Sequence, residues 1–184
     1  SMLALKGGDL FRRSLIIQDS MRLGNLYKDA GYANVSVSNK PNIDKNTRQL
    51  DFTYVIQQGE KVYFRFIEFK GNAKTRDKVL RREMLFSEGD LYSETSLRQS
   101  EQEIMRLGYF TKATITTKST NDRHLVDVLV SVEEMETGTF QLGAGFSSLE
   151  SFILQAQVSK QNLFGHGQYM AFQANVSRIR TLFK

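Results

Sequence analysis

Residues that commonly carry chemistry are few in this chain, and they are not clustered. The 184 residues contain no cysteine and only two histidines, His124 and His166. Without thiols, the chain has no thiolate catalysis, cysteine-ligated zinc, iron–sulfur cluster or disulfide. His124 lies beside a predicted turn and His166 within one, and no acidic cluster accompanies either, so neither a metal site nor a catalytic triad is indicated. We expect a protein that is not an enzyme and that has no cofactor.

One pair of glycines has the spacing that opens a dinucleotide-binding loop. Ser148 stands where the third glycine of that motif would follow Gly143 and Gly145, and no helix is predicted after it. Glycine within a strand explains the pair better, because strand glycines allow close approach or bending. The sequence therefore indicates no nucleotide site.

Three consecutive charged residues, Arg81, Arg82 and Glu83, are candidates for binding a protein partner. They fall on a short predicted helix, which Thr75 or Asp77 could cap. The ordinary interpretation is a solvated helix face. The functional interpretation is a polar docking surface in which Glu83 forms a charge pair, since an interfacial pair is costly to break from one side.

A second candidate surface is the edge of a predicted strand, Phe110 to Lys118. A strand edge presents N–H and C=O groups that can take up an extended peptide by β-augmentation. Alternate residues of this strand are the candidates for such an edge: Thr111, Ala113, Ile115 and Thr117. The threonines and lysines of the strand also fit ordinary edge protection, so both interpretations stay open.

A repeated pattern indicates how these residues are positioned. The segment Gly8-Asp9-Leu10-Phe11, a helix-like stretch and Gly31-Tyr32 recur as Gly89-Asp90-Leu91-Tyr92, a second helix-like stretch and Gly108-Tyr109-Phe110. The offset of about 80 residues is too long for a solenoid repeat, so it fits two copies of one small domain.

The second copy is complete and is predicted to have the order β-α-α-β-β. Its strands and helices are expected at Val62–Lys70, about 75–85, about 93–107, Phe110–Lys118 and Leu125–Glu133. Ser93 is expected to cap the second helix and Gly108 to end it. The register of the first strand stays open, because Phe64, Phe66 and Ile67 compete for its inward face.

The first copy is truncated and begins near the end of its first helix. Its second helix is predicted to place Ile16, Ser20, Leu23 and Tyr27 on one face and to end at Gly31. A hairpin of Val35–Val37 with Leu50–Ile56 is expected around a loop at 41–46. Because its first strand is missing, we expect this copy to be less stable than the second.

The composition changes from Gly138 onward, where Asp is absent and Glu nearly so. Apolar residues alternate with polar ones in three predicted strands, through Phe140, Leu142, Ala144 and Phe146, then Phe152, Leu154, Ala156 and Val158, then Met170, Phe172, Ala174 and Val176. Outer-membrane barrels show this pattern, with the apolar side chains outward. A soluble antiparallel sheet shows the same alternation, so the pattern alone leaves both open.

The totals limit the class of protein less than these patterns do. The formal charge of +5 and pI of about 9.4 fit nucleic acid, an anionic membrane surface or acidic partners, and they select none of them. No run of 18 apolar residues predicts a transmembrane helix. The first residues, through Leu5, are too short for a signal peptide, and the start resembles a segment taken from a longer protein.

The order of the motifs resembles the BamA-type outer-membrane assembly factors, whose repeated units are POTRA domains. Short motifs that are similar to those of this family occur in the second copy and in the tail, at Ile67–Asn72, Val79–Met84, Gly89–Leu91, Arg106–Phe110, Gly143–Phe146 and Asn162–Gly167. The resemblance covers essentially the whole chain, and although no single motif is specific, their order and the barrel pattern together are strong. The complete copy is placed as the last module before the barrel.

This resemblance implies an α+β fold of tandem POTRA-like modules followed by antiparallel strands. The expected domains are a truncated module at 1–59, a complete module at 60–135 and the first strands of a transmembrane β-barrel at 136–184. The implied localisation is the outer membrane of a Gram-negative cell, with the modules in the periplasm. The implied partners are unfolded outer-membrane protein precursors, accessory lipoproteins and, through the barrel, membrane lipid, but no nucleic acid. The family favours Arg81, Arg82 and Glu83 as a lipoprotein contact.

Two alternative functions stay open at this point. A KH-like RNA-binding module shares the β-α-α-β-β order, but its G-x-x-G loop is replaced by the acidic stretch Phe86-Ser87-Glu88-Gly89-Asp90. A two-partner secretion or translocation-type transporter would use the same modules to export a protein rather than to insert barrels.

Overall fold

The computed structural model describes residues 12–44, 49–148, 151–177 and 181–184. Within these residues the helices are α1 Arg13–Asp29, α2 Asp77–Arg81 and α3 Glu94–Arg106. The strands are β1 Ser36–Asp44, β2 Gln49–Gln57, β3 Tyr63–Lys70, β4 Phe110–Ser119, β5 Leu125–Glu134, β6 Gly138–Ser147, β7 Ser151–Leu163, β8 Gln168–Ser177 and β9 Thr181–Phe183. None of these helices is long and apolar enough to cross a membrane.

The strands form three sheets. β1 and β2 form an antiparallel pair, the second sheet has the order β3-β5-β4, and the third has the order β6-β7-β8-β9. Two helices followed by strands in the second copy, and an antiparallel sheet after it, confirm the predicted α+β fold class.

The chain divides into two compact units, and both take segments from β3, β4, β5 and α3. One unit comprises Ser1–Glu68, Leu85–Ser100 and Ile115–Leu129, and the other Phe69–Met84, Glu101–Thr114 and Val130–Lys184. The predicted domain boundaries after residues 59 and 135 divide the chain differently, and they stay a prediction.

The core of the first unit is built on aromatic contacts to Phe64. The ring centroid of Phe64 lies 4.3 Å from that of Phe86 and 5.6 Å from that of Tyr92. Phe64 and Ile67 are buried, whereas Phe66 is 62% exposed. Burial of two residues three positions apart does not follow the two-residue period of a regular strand, so the register of β3 stays open.

The second unit has an apolar core beside a sheet with one apolar face. Its core residues are Val79, Leu80, Ile104, Phe110, Ala113, Val130 and Val132. In the β6–β9 sheet, the cross-strand partners Phe140↔Val158 and Val158↔Phe172 put the apolar residues of neighbouring strands on one face. These side chains are exposed, as are Leu142, Phe146 and Phe183. The opposite face carries the amide row of Gln141, Gln157 and Gln173.

The strongest local patterns were predicted correctly. Val126, Val128, Val130 and Val132 are all buried along β5, as the alternation indicated. The Ser93 hydroxyl accepts a hydrogen bond from the Ser96 amide at 3.1 Å, which confirms it as the cap of α3.

Three details differ from the sequence prediction. β1 continues through Pro41 to Asp44. Among the described residues β1 pairs with β2 alone, and a strand that is paired on one side tolerates a proline. α2 has only five residues, with Arg76 at its N-cap, and the Thr75 side chain is used elsewhere. A fourth strand, β9, follows the three that were predicted, and its three residues are too short to show alternation.

Candidate functional site

A buried threonine organises the contact between the 72–76 loop and the β7–β8 hairpin in the second unit. Thr75 is 3% exposed, and its hydroxyl bonds the Glu134 carboxylate at the end of β5. Glu134 also accepts hydrogen bonds from the backbone amides of Thr75 at 2.7 Å and of Lys74 at 2.9 Å. Burial raises the pKa of Glu134, but these hydrogen bonds outweigh it, so the pKa lies below its ordinary value.

Asn162 carries the contact from Thr75 into the hairpin. Its Nδ2 donates to Thr75 Oγ1 at 2.7 Å, and its Oδ1 accepts from the Gly167 amide at 2.9 Å. The side chain can turn this way because a β-bulge lies between Lys160 and Leu163, and bulges re-aim side chains. Asn162 has φ +54°, a left-handed conformation that asparagine tolerates better than most residues.

Two glycines bring the turn close to the module. The Arg76 amide donates to the Gly165 carbonyl at 3.1 Å. Gly165 has φ +73°, and a Cβ there would lie 2.0 Å from the Lys74 carbonyl oxygen. The Tyr109 hydroxyl donates to the Gly167 carbonyl at 3.2 Å. We refer to Thr75, Glu134, Asn162, Gly165 and Gly167 as the turn-docking cluster.

An exposed ion network lies next to the turn-docking cluster. Glu136 pairs with Lys74 and, at 3.6 Å, with Lys160. Hydrogen bonding and charge from Lys74 lower the pKa of Glu136, and Lys160 adds to the effect. Because all three side chains are solvated, salt screens the pairs and they add little stability. A cavity of about 200 Å³ is lined by Thr75, Tyr109, Glu134, Asn162, Phe164 and Gly165, among others.

The predicted docking residues lie at the end of α2. Arg82 Nε donates to Glu83 Oε1 at 2.9 Å, and the Arg81 guanidinium carbon lies 5.3 Å from the centroid of the Phe69 ring. A Cβ on Gly167 would lie 2.7 Å from Arg82 Nη2. Arg82 therefore also contacts the β7–β8 turn. Partner binding by these three residues stays a prediction.

The predicted peptide-binding strand is the outermost strand on its side of the sheet. β4 follows β5 at the end of the order β3-β5-β4. Thr111 and Thr117 are exposed, Ile115 is half-buried and Ala113 is 7% exposed. The four residues do not form a surface of equal exposure, and their role as a client edge stays a prediction.

A set of polar contacts in the first unit was not predicted from the sequence. Asp29, at the end of α1, accepts hydrogen bonds from the Thr95 amide at 2.8 Å, the Thr95 hydroxyl at 2.7 Å and the Ser93 hydroxyl at 3.0 Å. It thereby acts at the N-terminus of α3, where a carboxylate is favoured. Lys28 pairs with Glu94 at 3.3 Å.

Backbone contacts complete this connection between the two repeat copies. The Val62 amide donates to the Gly31 carbonyl at 2.9 Å. Gly31 has φ +99°, and a Cβ there would lie 2.6 Å from Leu91 Cδ1. The glycines that mark the repeat in the sequence thus have different roles, and the one that ends α1 lies against the second copy.

Each histidine has contacts of its own. His124 Nδ1 lies 3.1 Å from the Lys61 carbonyl oxygen, and its Nε2 lies 3.6 Å from Glu60. The His166 amide donates within the turn, to the Leu163 carbonyl. In the described part of the chain, no group of three or more histidines and acidic residues is placed to hold a metal ion.

Comparison with known proteins matches the chain to one family. The POTRA family model, described as a surface antigen variable number repeat, matches residues 1–59 and 62–135. The outer membrane protein assembly factor BamA of Nitratidesulfovibrio vulgaris is 33% identical over 178 residues, which cover 97% of this chain and 22% of the relative. The chain thus spans about a fifth of the length of this relative.

Solved structures of BamA are among those similar to the chain. BamA from Haemophilus ducreyi lacking POTRA domains 1–3 has a TM-score of 0.84 and 24% identity, over 95% of this chain and 33% of that one. POTRA domains 3–5 of BamA from Haemophilus influenzae have a TM-score of 0.65 and 29% identity, over 71% of this chain and 52% of that one. The first likeness is one of fold.

A methyl group at Gly165 is expected to disrupt the turn-docking cluster. Gly89→Ala is the matched control, since Gly89 has φ +91° and a Cβ there would meet no described atom within 4 Å. Both variants incur the left-handed strain, about 1–2 kcal/mol, and only Gly165→Ala adds a clash with Lys74. We expect it to lower the free energy of unfolding by about 2–4 kcal/mol in urea titrations. Equal losses would show that the contact is dispensable.

The Asp29 contact is expected to make the first unit sensitive to acid. Burial raises the pKa of Asp29, but hydrogen bonds from Thr95 and Ser93 lower it below its ordinary value of 3.8. A carboxyl whose pKa is depressed on folding stabilises above its unfolded pKa, and this is lost as pH falls through the folded pKa. In urea titrations from about pH 6 to about pH 3, the free energy of unfolding should fall less for Asp29→Asn than for the unchanged protein. Asparagine keeps a hydrogen-bond acceptor at this position but has no carboxyl to protonate. An unchanged pH slope would contradict this.

Proposed function

Because the chain belongs to the POTRA family and to the BamA-type outer-membrane protein assembly factors, we propose that it is the receptor and scaffold region that binds outer-membrane protein precursors for insertion into the outer membrane. The protein is located in the outer membrane, with its POTRA modules in the periplasm. The proposed clients are unfolded β-barrel precursors, and the proposed accessory partners are lipoproteins. The proposed role is non-enzymatic, with the energy coming from client folding.

The position of β4 in its sheet supports peptide binding more than any other observation. At the other edge, β3 already exchanges hydrogen bonds with the segment that follows α2. The Phe64 amide donates to the Asp90 carbonyl at 2.9 Å, and the Gly89 amide to the Phe64 carbonyl at 2.7 Å. β4 has a strand partner on one side only among the described residues. It is therefore the edge that an extended client can join.

Main-chain pairing suits the proposed clients because it does not depend on their sequence. Backbone hydrogen bonds provide the affinity, and alternate side chains provide any preference. The exposed threonines of β4, Thr111 and Thr117, would border a bound peptide. The family assignment favours this function over RNA binding, whose phosphate-clamping loop would here be acidic.

Glu83 is the proposed contact for an accessory lipoprotein. Its carboxylate is only partly exposed, 23% for the side chain, and it is held by Arg82. A basic group on a partner would have to compete with Arg82 or join it. Because Arg82 also lies against Gly167, a contact at Glu83 would be adjacent to the β7–β8 turn.

Charge reversal at Glu83 tests the lipoprotein contact. We expect Glu83→Lys in the full-length protein to lower the amount of co-purified lipoprotein about tenfold or more, because a charge is then opposed to its former partner. Glu103→Lys is the matched control, since Glu103 also pairs with a neighbouring arginine, Arg106, at 2.8 Å. Unchanged recovery with Glu83→Lys would remove this residue from the interface.

Cysteine cross-linking tests the client edge, because the chain has no cysteine of its own. We expect Thr117→Cys to form disulfides with an unfolded precursor peptide that carries a single cysteine. The yield should rise and fall with a period of two residues along the peptide, as a paired strand requires. Ser131→Cys on the central strand β5 is the control. Equal yields at the two positions, or no periodicity, would exclude augmentation at β4.

A further inference from the structure

The turn between β7 and β8 exposes a large apolar side chain. Phe164 is 82% exposed and has φ +52°, a conformation in which a bulky residue is strained. The residues on either side are fixed, because Asn162 bonds Thr75 and Gly165 bonds Arg76. The exposed phenylalanine is therefore presented by a turn that is held in place. Burial within the described part of the chain does not explain why a phenylalanine occupies this position.

The apolar face of the β6–β9 sheet ends just before this turn. Lys160 is the cross-strand partner of both Gly138 and Met170, so it lies on the apolar face directly after Val158. Its stem lies over Gly138, where a Cβ would be 3.5 Å from Lys160 Cδ, and its Nζ reaches Glu136. A lysine that lays its stem on an apolar surface and turns its charge away from that surface is typical of a membrane boundary.

The distance from Lys160 to the turn matches the depth of a headgroup layer. β7 continues for three residues beyond Lys160, to Leu163, just before Phe164, and three residues of a strand tilted by about 40° rise about 8 Å along the membrane normal. The headgroup and interfacial region on each side of a bilayer is about 5–8 Å thick. If Lys160 marks the end of the hydrocarbon, Phe164 lies within the headgroup region or at its outer limit.

The side of the membrane follows from the contacts of the turn. The β7–β8 turn is bonded to Thr75 and Arg76 of the POTRA module, and the POTRA modules are in the periplasm. The turn therefore faces the periplasmic leaflet. Aromatic residues are enriched at the membrane interfaces of barrels, and Phe164 is the aromatic residue of this turn.

We propose that Phe164 inserts into the headgroup region of the periplasmic leaflet and that the turn-docking cluster holds it there. The partner is a phospholipid bilayer surface, contacted by Phe164 with Lys160 at its boundary. The contact is continuous with the apolar face of the sheet. The proposal includes the predicted membrane location of the β6–β9 sheet and is independent of precursor or lipoprotein binding, so each can fail without the other.

A single tryptophan tests the position of this residue, because the chain contains none. We expect the emission of Phe164→Trp to move to shorter wavelength on addition of vesicles of phosphatidylethanolamine and phosphatidylglycerol. Lipids with a quencher near the headgroup should quench it more than lipids with a quencher at the acyl-chain end. Phe66→Trp is the control, since Phe66 is 62% exposed on β3 of the first unit, and its emission should not change.

Removal of the Phe164 side chain provides a second test, in which stability and vesicle binding are expected to change in opposite directions. Phe164→Gly relieves the left-handed strain, so it should raise the free energy of unfolding in urea while lowering the fraction of the chain that co-floats with vesicles. Phe66→Gly should leave co-flotation unchanged. Unshifted Phe164→Trp emission, strongest quenching from the acyl-chain end, or undiminished co-flotation of Phe164→Gly would each overturn the proposal. A shift that appears only when a protein partner is added would also overturn it.

Discussion

The hydroxyl of Thr75 is the polar group on which the contact between module and hairpin depends. It is buried, it donates to Glu134, and it accepts from Asn162. A buried hydroxyl without partners would be costly, so the loop, the end of β5 and the hairpin turn must be in place together. The surface ion pairs of Lys74 and Lys160 add to this contact but cannot replace it, since solvent competes for them.

The elements with strong local signals were predictable. The alternating valines of β5 and the capped, amphipathic α3 are set by neighbouring residues, and so is the left-handed glycine at Gly108. The weaker elements were not, because tertiary contacts decide them. Thr75 has the sequence features of a helix cap, yet its side chain is taken by Glu134 and Asn162, and α2 begins without it.

The contacts of the site lie beyond what one sequence can reveal. Asn162 and Thr75 are 87 positions apart, and Asp29 and Thr95 are 66 apart. Contacts between residues so far apart in sequence produce no periodic pattern in the sequence. Asp29 has no feature that distinguishes it from other acidic residues near a helix end. The available sequence signal for this turn was the glycine pair that follows Asn162, Gly165 and Gly167, since closely spaced glycines indicate a turn. What that turn contacts could only come from the structure.

The β-bulge between Lys160 and Leu163 limits how β7 and β8 can be aligned in their hairpin. The bulge places two residues three positions apart, Lys160 and Leu163, on the same face, which an unbroken strand cannot do. If β7 slipped by one residue against β8, its apolar side chains would leave the face that they share with Phe172, and Asn162 would no longer meet Thr75. The hairpin therefore has one alignment that keeps both the shared apolar face and the contact with Thr75. Because β9 pairs with β8, its alignment depends on the same bulge, so one irregularity in β7 constrains the register of the strands that follow it.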